Sequence, residues 1–249
     1  MQGCLHARIR CGRRLIVLAA AVLLAAGAVS CGKRQASWDE LNDLAMQALN
    51  AGRSIEAEDD LLAALKLARE DEKLAYRIPL SLHRLARFYE ARQRYSVAGD
   101  YYAQALEADS KRLKVTHPEL YDTVKRLAAM REISEQATEA KEVYKRFLAL
   151  QEAQLGHDAL PIATTLVQIG RLARMRSGYD EAEKAFQRAL SIRIQHLGQD
   201  NDLLPEVLDE YVILLRDTEQ PYKADLMEER AAKLRMNRTA RRMQDTAEK

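Results

Sequence analysis

Ala57, Ala98, Ala140, Ala182 and Ala224 follow one another at intervals of 41, 42, 42 and 42 residues, each within the same local pattern of small, aromatic and aliphatic neighbours. A period of this size marks a stack of supersecondary units, because one such unit cannot bury its apolar face alone. Twelve residues before each anchor stand Ala45, Ala86, Ala128, Gly170 and Val212, four of the five small. One residue before these come Leu44, Leu85, Leu127, Ile169 and Tyr211, and three residues earlier again Leu41, Leu82, Val124, Leu166 and Leu208. Apolar residues at i and i+3 beside a small one make the buried stripe of a helix.

A second helix repeats the logic. Four residues after the anchors come Leu61, Tyr102, Tyr144, Phe186 and Glu228, and seven after them Ala64, Ala105, Phe147, Ala189 and Ala231. The large residue packs, and the small one lets backbones approach. Gly52 and the pair Ser177-Gly178 supply tight turns between the two helices. Pro79, Pro118, Pro161 and Pro205 recur ahead of the next first helix, where proline is tolerated. Ser37-Trp38-Asp39-Glu40 reads as a capping box that opens the first helix of all. Ten Gly and five Pro in 249 residues are too few for the many turns of a sandwich or barrel, so the chain reads as all-α.

In this register the chain resembles the tetratricopeptide repeat, in the 42-residue form seen in kinesin light chains. The stretch Gly178-Tyr179-Asp180-Glu181-Ala182-Glu183 through Ala189-Leu190-Ser191-Ile192, followed by Leu197-Gly198-Gln199-Asp200, carries the resemblance most clearly. Leu85-Ala86-Arg87-Phe88-Tyr89, with Tyr95 and Ala98, carries it in the second unit. Gln93 and Glu135 stand in place of a turn glycine, Arg131 in place of an aromatic, and Pro221 and Glu228 depart from the pattern in the fifth unit, which reads as a cap. The resemblance implies an all-α, right-handed superhelical solenoid of about five tetratricopeptide-like helical hairpins over residues 38–234. A basic tail follows at 235–249.

The first thirty residues are of another kind. Arg8, Arg10, Arg13 and Arg14 precede the apolar run from Leu15 to Val29, and no acid appears before Asp39. Fifteen apolar residues fall short of the roughly 20 needed to span a bilayer, and residues 1–30 read as an export signal. Ala28-Val29-Ser30-Cys31 resembles the lipobox of bacterial lipoproteins, which implies acylation of Cys31 and, with Gly32-Lys33 after it, sorting to the outer membrane. Residues 31–37 would then tether the solenoid close to the lipid, on the periplasmic side.

Charge and chemistry narrow the function. Removing the four arginines of the signal from the 39 basic residues leaves 35 against 37 acids, which gives no electrostatic footprint for nucleic acid. No motif for a nucleophile with its base, a phosphate loop or a dinucleotide fold is present, and His83, His117, His157 and His196 are too scattered to form a metal cluster. No catalytic residue, cofactor or metal is expected. In this family the groove is lined by the outward side of the first helices. Transferred to this register, that rule selects His83, Arg87, Glu90, Lys125, Glu132, Val167, Arg171, Arg174, Ile213 and Arg216, with Met46, Ile133 and Met175 adding apolar contact. The arginines could fork onto a partner segment or pair with Glu90 and Glu132 on their own surface. The expected role is a non-enzymatic, lipid-anchored adaptor or scaffold that holds another envelope protein. Recruitment and modulation of an envelope hydrolase, or self-association into a structural module, are the alternatives.

Overall fold

The computed structural model describes residues 36–134 and 137–247. The expected signal at residues 1–30, Cys31 with most of the expected tether, and Glu135 lie outside the described residues. Among the described residues there are ten α-helices and no strand: α1 (Trp38–Asn50), α2 (Ser54–Glu70), α3 (Ile78–Ala91), α4 (Tyr95–Arg112), α5 (Pro118–Ile133), α6 (Ala137–Leu155), α7 (Leu160–Arg174), α8 (Tyr179–Leu197), α9 (Leu204–Asp217) and α10 (Pro221–Ala247). They pair in order into five antiparallel hairpins, and each hairpin packs on the next to build an all-α superhelical solenoid.

Side-chain size sets the stacking. All five anchor alanines are fully buried, as are Ala45, Ala86 and Ala128 of the first-helix row. Gly170 shows why that row must be small. A Cβ built there would lie 2.6 Å from the ring of Phe186, which is itself fully buried on the facing helix α8. Val212 is the one larger residue of the row, and the second-helix position that matches Phe186 in its hairpin is Glu228 and not an aromatic. The row just before is buried from Leu85 to Tyr211, whereas Leu44 is 46% exposed, since no described hairpin precedes α1 to cover it.

The helix ends follow from local chemistry. Ser37 and Glu40 form the expected capping box, with the Ser37 amide donating to Glu40 Oε2 at 2.7 Å and the Glu40 amide to Ser37 Oγ at 3.2 Å. Pro79, Pro118, Pro161 and Pro205 all sit in the first turn of a first helix. Four hairpin turns close in the same way among the described residues: Gly52, Gln93, Ser177 and Glu219 take positive φ, between 57° and 73°. The amide that follows reaches back to the carbonyl five residues earlier, as Arg94 does to Tyr89 and Gly178 to Ala173. The left-handed residue of the fourth turn is therefore Ser177; Gly178, at φ −81°, is the ordinary residue that starts α8.

The last helix is longer than the repeat requires. Nothing between Tyr222 and Ala247 is glycine or proline, so the basic segment expected as a tail continues α10. Arg235 pairs with Asp209, and Arg241 with Asp202 at 2.9 Å, which fastens this extension to the N-terminal end of α9 and the loop before it. No helix among the described residues is long and apolar enough to cross a membrane.

Candidate functional site

The first helices α3 and α5 diverge to leave a cleft of about 610 Å³, floored by the C-terminal turn of α4. His83, Arg84 and Arg87 enter it from α3, Asp122, Thr123 and Arg126 from α5, and Asp109 and Arg112 from below. At the floor, His83 Nε2 lies 2.8 Å from Asp109 Oδ2, and Arg112 donates to Asp109 Oδ1 at 3.0 Å. Burial alone would push the Asp109 carboxyl up, but the hydrogen bonds from His83 and Arg112 outweigh it and hold the group below the ordinary carboxylate range.

A second network closes the inner end. Tyr102 donates to Glu90 Oε2 at 2.6 Å, and Arg126 reaches the same oxygen at 3.4 Å while holding Asp122 at 2.9 Å. Burial, followed by the bond to Glu90, raises the Tyr102 hydroxyl to about 12, so it remains a donor at any physiological pH. Arg84 lies over the Trp38 ring at 5.1 Å. Arg87 is exposed and has no ion-pair partner among the described residues.

The expected groove residues sort into four groups. His83, Arg87 and Glu90 lie together on α3, at or beside this cleft. Several cations are already answered by their own chain: Arg171 by Glu132 at 2.9 Å, Arg174 by Asp217 at 2.9 Å, Lys125 by Asp122 at 3.6 Å and Arg216 by Glu228. These four cations are therefore neutralised in place, Arg171 by the Glu132 that the sequence offers as its alternative partner. Val167 does not line an open surface at all. It is 2% exposed, packed in the core that α7 shares with α9, because the fourth and fifth hairpins close over that position. Asn42, its counterpart on α1, is likewise buried, with its amide turned onto the Trp38 carbonyl at 2.6 Å.

Large apolar side chains also stay open along the first helices. Met46, Ile133, Met175 and Ile213 are 54%, 53%, 60% and 41% exposed. Met46 and Ile213 share one register position and Ile133 and Met175 another, four residues on, so they follow one another along one side of the stack. Sequence reasoning missed Arg84 and Arg126, although their register row, Asp43, Arg84, Arg126, Gln168 and Glu210, is polar in all five units. It also missed the row of Asp109, Gln151 and Arg193, whose side chains are buried polar groups near the ends of three second helices. Among the described residues, no three His, Cys, Asp or Glu side chains gather where they could hold a metal ion.

Fold and site together define a helical-hairpin solenoid with an open, mixed polar and apolar face. Residues 119–195, from the first turn of α5 to near the end of α8, match the sequence profile of the family described as tetratricopeptide repeat. Solved structures agree in fold. BtubC (BKLC) from P. vanneervenii is 20% identical, with 81% of this chain and 80% of that one covered at a TM-score of 0.57. A putative kinesin light chain of Podosopora anserina with nearly identical TPR-like repeats is 18% identical, with 80% and 95% covered at a TM-score of 0.59. RapI in its apo form is 14% identical, with 82% and 72% covered at a TM-score of 0.57. A search of curated proteins returns no match.

Proposed function

We propose that this protein is a non-enzymatic adaptor that holds a segment of another envelope protein along the open side of its first helices. The observation that carries the reading is the row of Met46, Ile133, Met175 and Ile213, four large apolar side chains that follow one another in water along one side of the first helices. Apolar surface arranged in this way favours an extended or helical segment that covers it. The uncompensated Arg87 at the mouth of the α3–α5 cleft supplies a forked donor for a carboxylate on that segment.

The same reading places the chain at a membrane. Residues 1–30 serve as an export signal, Cys31 is acylated, and two or more acyl chains hold the solenoid at the periplasmic face of the outer membrane. The tether from Gly32 to Ser37 reaches on the order of 20 Å, at about 3.5 Å for each of its residues, which favours partners that are also membrane-bound. Replacing Cys31 with serine should abolish incorporation of labelled palmitate and release the chain to the soluble fraction. Labelling that persists would remove the anchor from the proposal.

The groove is tested by photo-crosslinking in the native membrane. A cross-linker at Ile133 or Met175 should capture one protein of defined mass, whereas the same group at Lys184, exposed on a second helix, should not. Met175→Glu combined with Arg87→Glu should abolish capture from the Ile133 probe. Equal capture from both sides of the stack, or capture that survives the double substitution, would sink the groove.

A further inference from the structure

The outer face of α10 carries a seam for a second helix. Tyr222, Leu226, Glu229, Lys233, Met236 and Ala240 succeed one another at steps of 4, 3, 4, 3 and 4 residues. That is the a/d spacing of a coiled coil, and on an α-helix it keeps all six within an arc of about 80°. All six are exposed, with Tyr222 at 75%, Leu226 at 46% and Met236 at 73%. Ala224, Ala231 and Leu234, which hold α10 onto the solenoid, lie on the opposite side. Glu229 and Lys233 have no ion-pair partner among the described residues.

We propose that this seam pairs with the same seam of a second copy of the chain, antiparallel, about a twofold axis between Glu229 and Lys233. The order of side chains is self-complementary in that one register. Glu229 faces the other copy's Lys233, Leu226 faces Met236, and the large Tyr222 faces the small Ala240, each pair occurring twice. A parallel, in-register pair would set Glu229 against Glu229 and Lys233 against Lys233. Sliding the antiparallel pair by one seam position sets Lys233 against itself and leaves Glu229 facing Met236. Central charges thus choose both direction and register, as polar seam positions do in coiled coils at some cost in affinity. An isologous contact of this kind closes at two copies and leaves the first-helix groove of each free. The inference uses none of the groove residues, so it stands or falls independently of the adaptor reading.

The test uses the full-length chain in its membrane. One population carries Leu226→Cys and the other Met236→Cys, with the unsubstituted chain as background. Mild oxidation should give a disulfide-linked dimer in the mixed population and none above background in either alone. Glu229→Lys or Lys233→Glu added to both populations should cut the yield at least fivefold, and the two changes together should restore it. All of these side chains are exposed, so thermal melting monitored by circular dichroism should move little. Self-linking of either population alone, absence of linking in the mixture, a double charge swap that fails to restore it, or linking to a protein of another mass would each overturn the proposal.

Discussion

At the scale of single residues, the informative side chains are those whose identity departs from the repeat yet keeps a contact. Arg131 stands where the second hairpin has Tyr89, and Tyr89 donates to Glu58 at 2.5 Å. Arg131 reaches Asp100 on α4, one position past Gly99, the counterpart of Glu58, at 2.9 Å. The link between successive hairpins survives a change of donor. The buried polar row likewise keeps a bond to a first helix while its residue type changes: Asp109 binds His83 in its own hairpin, whereas Gln151 accepts from Thr165 of the next at 2.7 Å and Arg193 bonds Glu206 of the next at 2.8 Å. Such groups cannot slide along the partner helix without losing a bond, at a cost of about 1–3 kcal/mol each when left buried and unsatisfied. Asp109 gives this a pH signature. Its folded-state pKa lies below the ordinary 3.8, so its contribution is present in full above that value and is lost as pH falls through the depressed folded value. Asp109→Asn should therefore destabilise by about 1–3 kcal/mol at pH 7 and by clearly less near pH 3. Urea melts at the two pH values decide it, and an equal loss at both would show that the carboxylate charge contributes nothing. Gly170 offers a second check. Gly170→Ala should cost about 1–3 kcal/mol through the Phe186 ring despite the better helix propensity of alanine, and Phe186→Leu in the same chain should recover part of that loss. Additive effects in the double-mutant cycle would mean that the two positions do not meet.

At the scale of the element, each hairpin is a first helix, a turn and a second helix; the four turns led by Gly52, Gln93, Ser177 and Glu219 are left-handed, and three of these place a side chain where glycine is the favoured choice. A left-handed non-glycine residue costs roughly 1–2 kcal/mol, and the extra chain entropy of glycine takes back about 0.5–1. Gln93→Gly and Glu219→Gly should thus each stabilise by about 0.5–1 kcal/mol, while Gly52→Ala should destabilise by a similar amount. Midpoints of chemical unfolding give the sign directly, and a loss of stability on Gln93→Gly would mean that the turn is relaxed as it stands. The turns also show where sequence reading falls short. A glycine is visible as a signal, but Gln93, Ser177 and Glu219 adopt the same conformation only because the helices on both sides are fixed by their packing. Local propensity is overridden there, and only the 42-residue register, not residue type, marks those positions.

At the scale of the whole molecule, the recurrence of small residues was enough to give the hairpins, their order and their stacking, because the spacing between helix axes depends on side-chain volume at a few positions. The open face was legible only in part. Val167 and His83 occupy equivalent places on their helices, yet one is covered by the fifth hairpin and the other meets a cleft, and that difference lies in how far successive first helices diverge. The pairing of Arg171 with Glu132, 39 residues away, is one of the two readings the register allows, whereas that of Arg174 with Asp217, 43 residues away, is not among them. The solenoid nevertheless implies a definite mechanical property. Each hairpin touches chiefly its neighbours in the stack, so stability is close to a sum of hairpin and interface contributions, and damage to one unit should remain near it. Ala57→Leu and Ala182→Leu place the same overpacked side chain at fully buried positions in the first and fourth hairpins, each at a cost of about 1–3 kcal/mol. Native-state hydrogen exchange should then show α1, α2 and α3 opening more readily in Ala57→Leu with α8 and α9 near wild type, and the reverse in Ala182→Leu. If either substitution lowers protection equally from α1 to α10, the chain folds as one cooperative block, and the picture of hairpins coupled only through their shared faces fails.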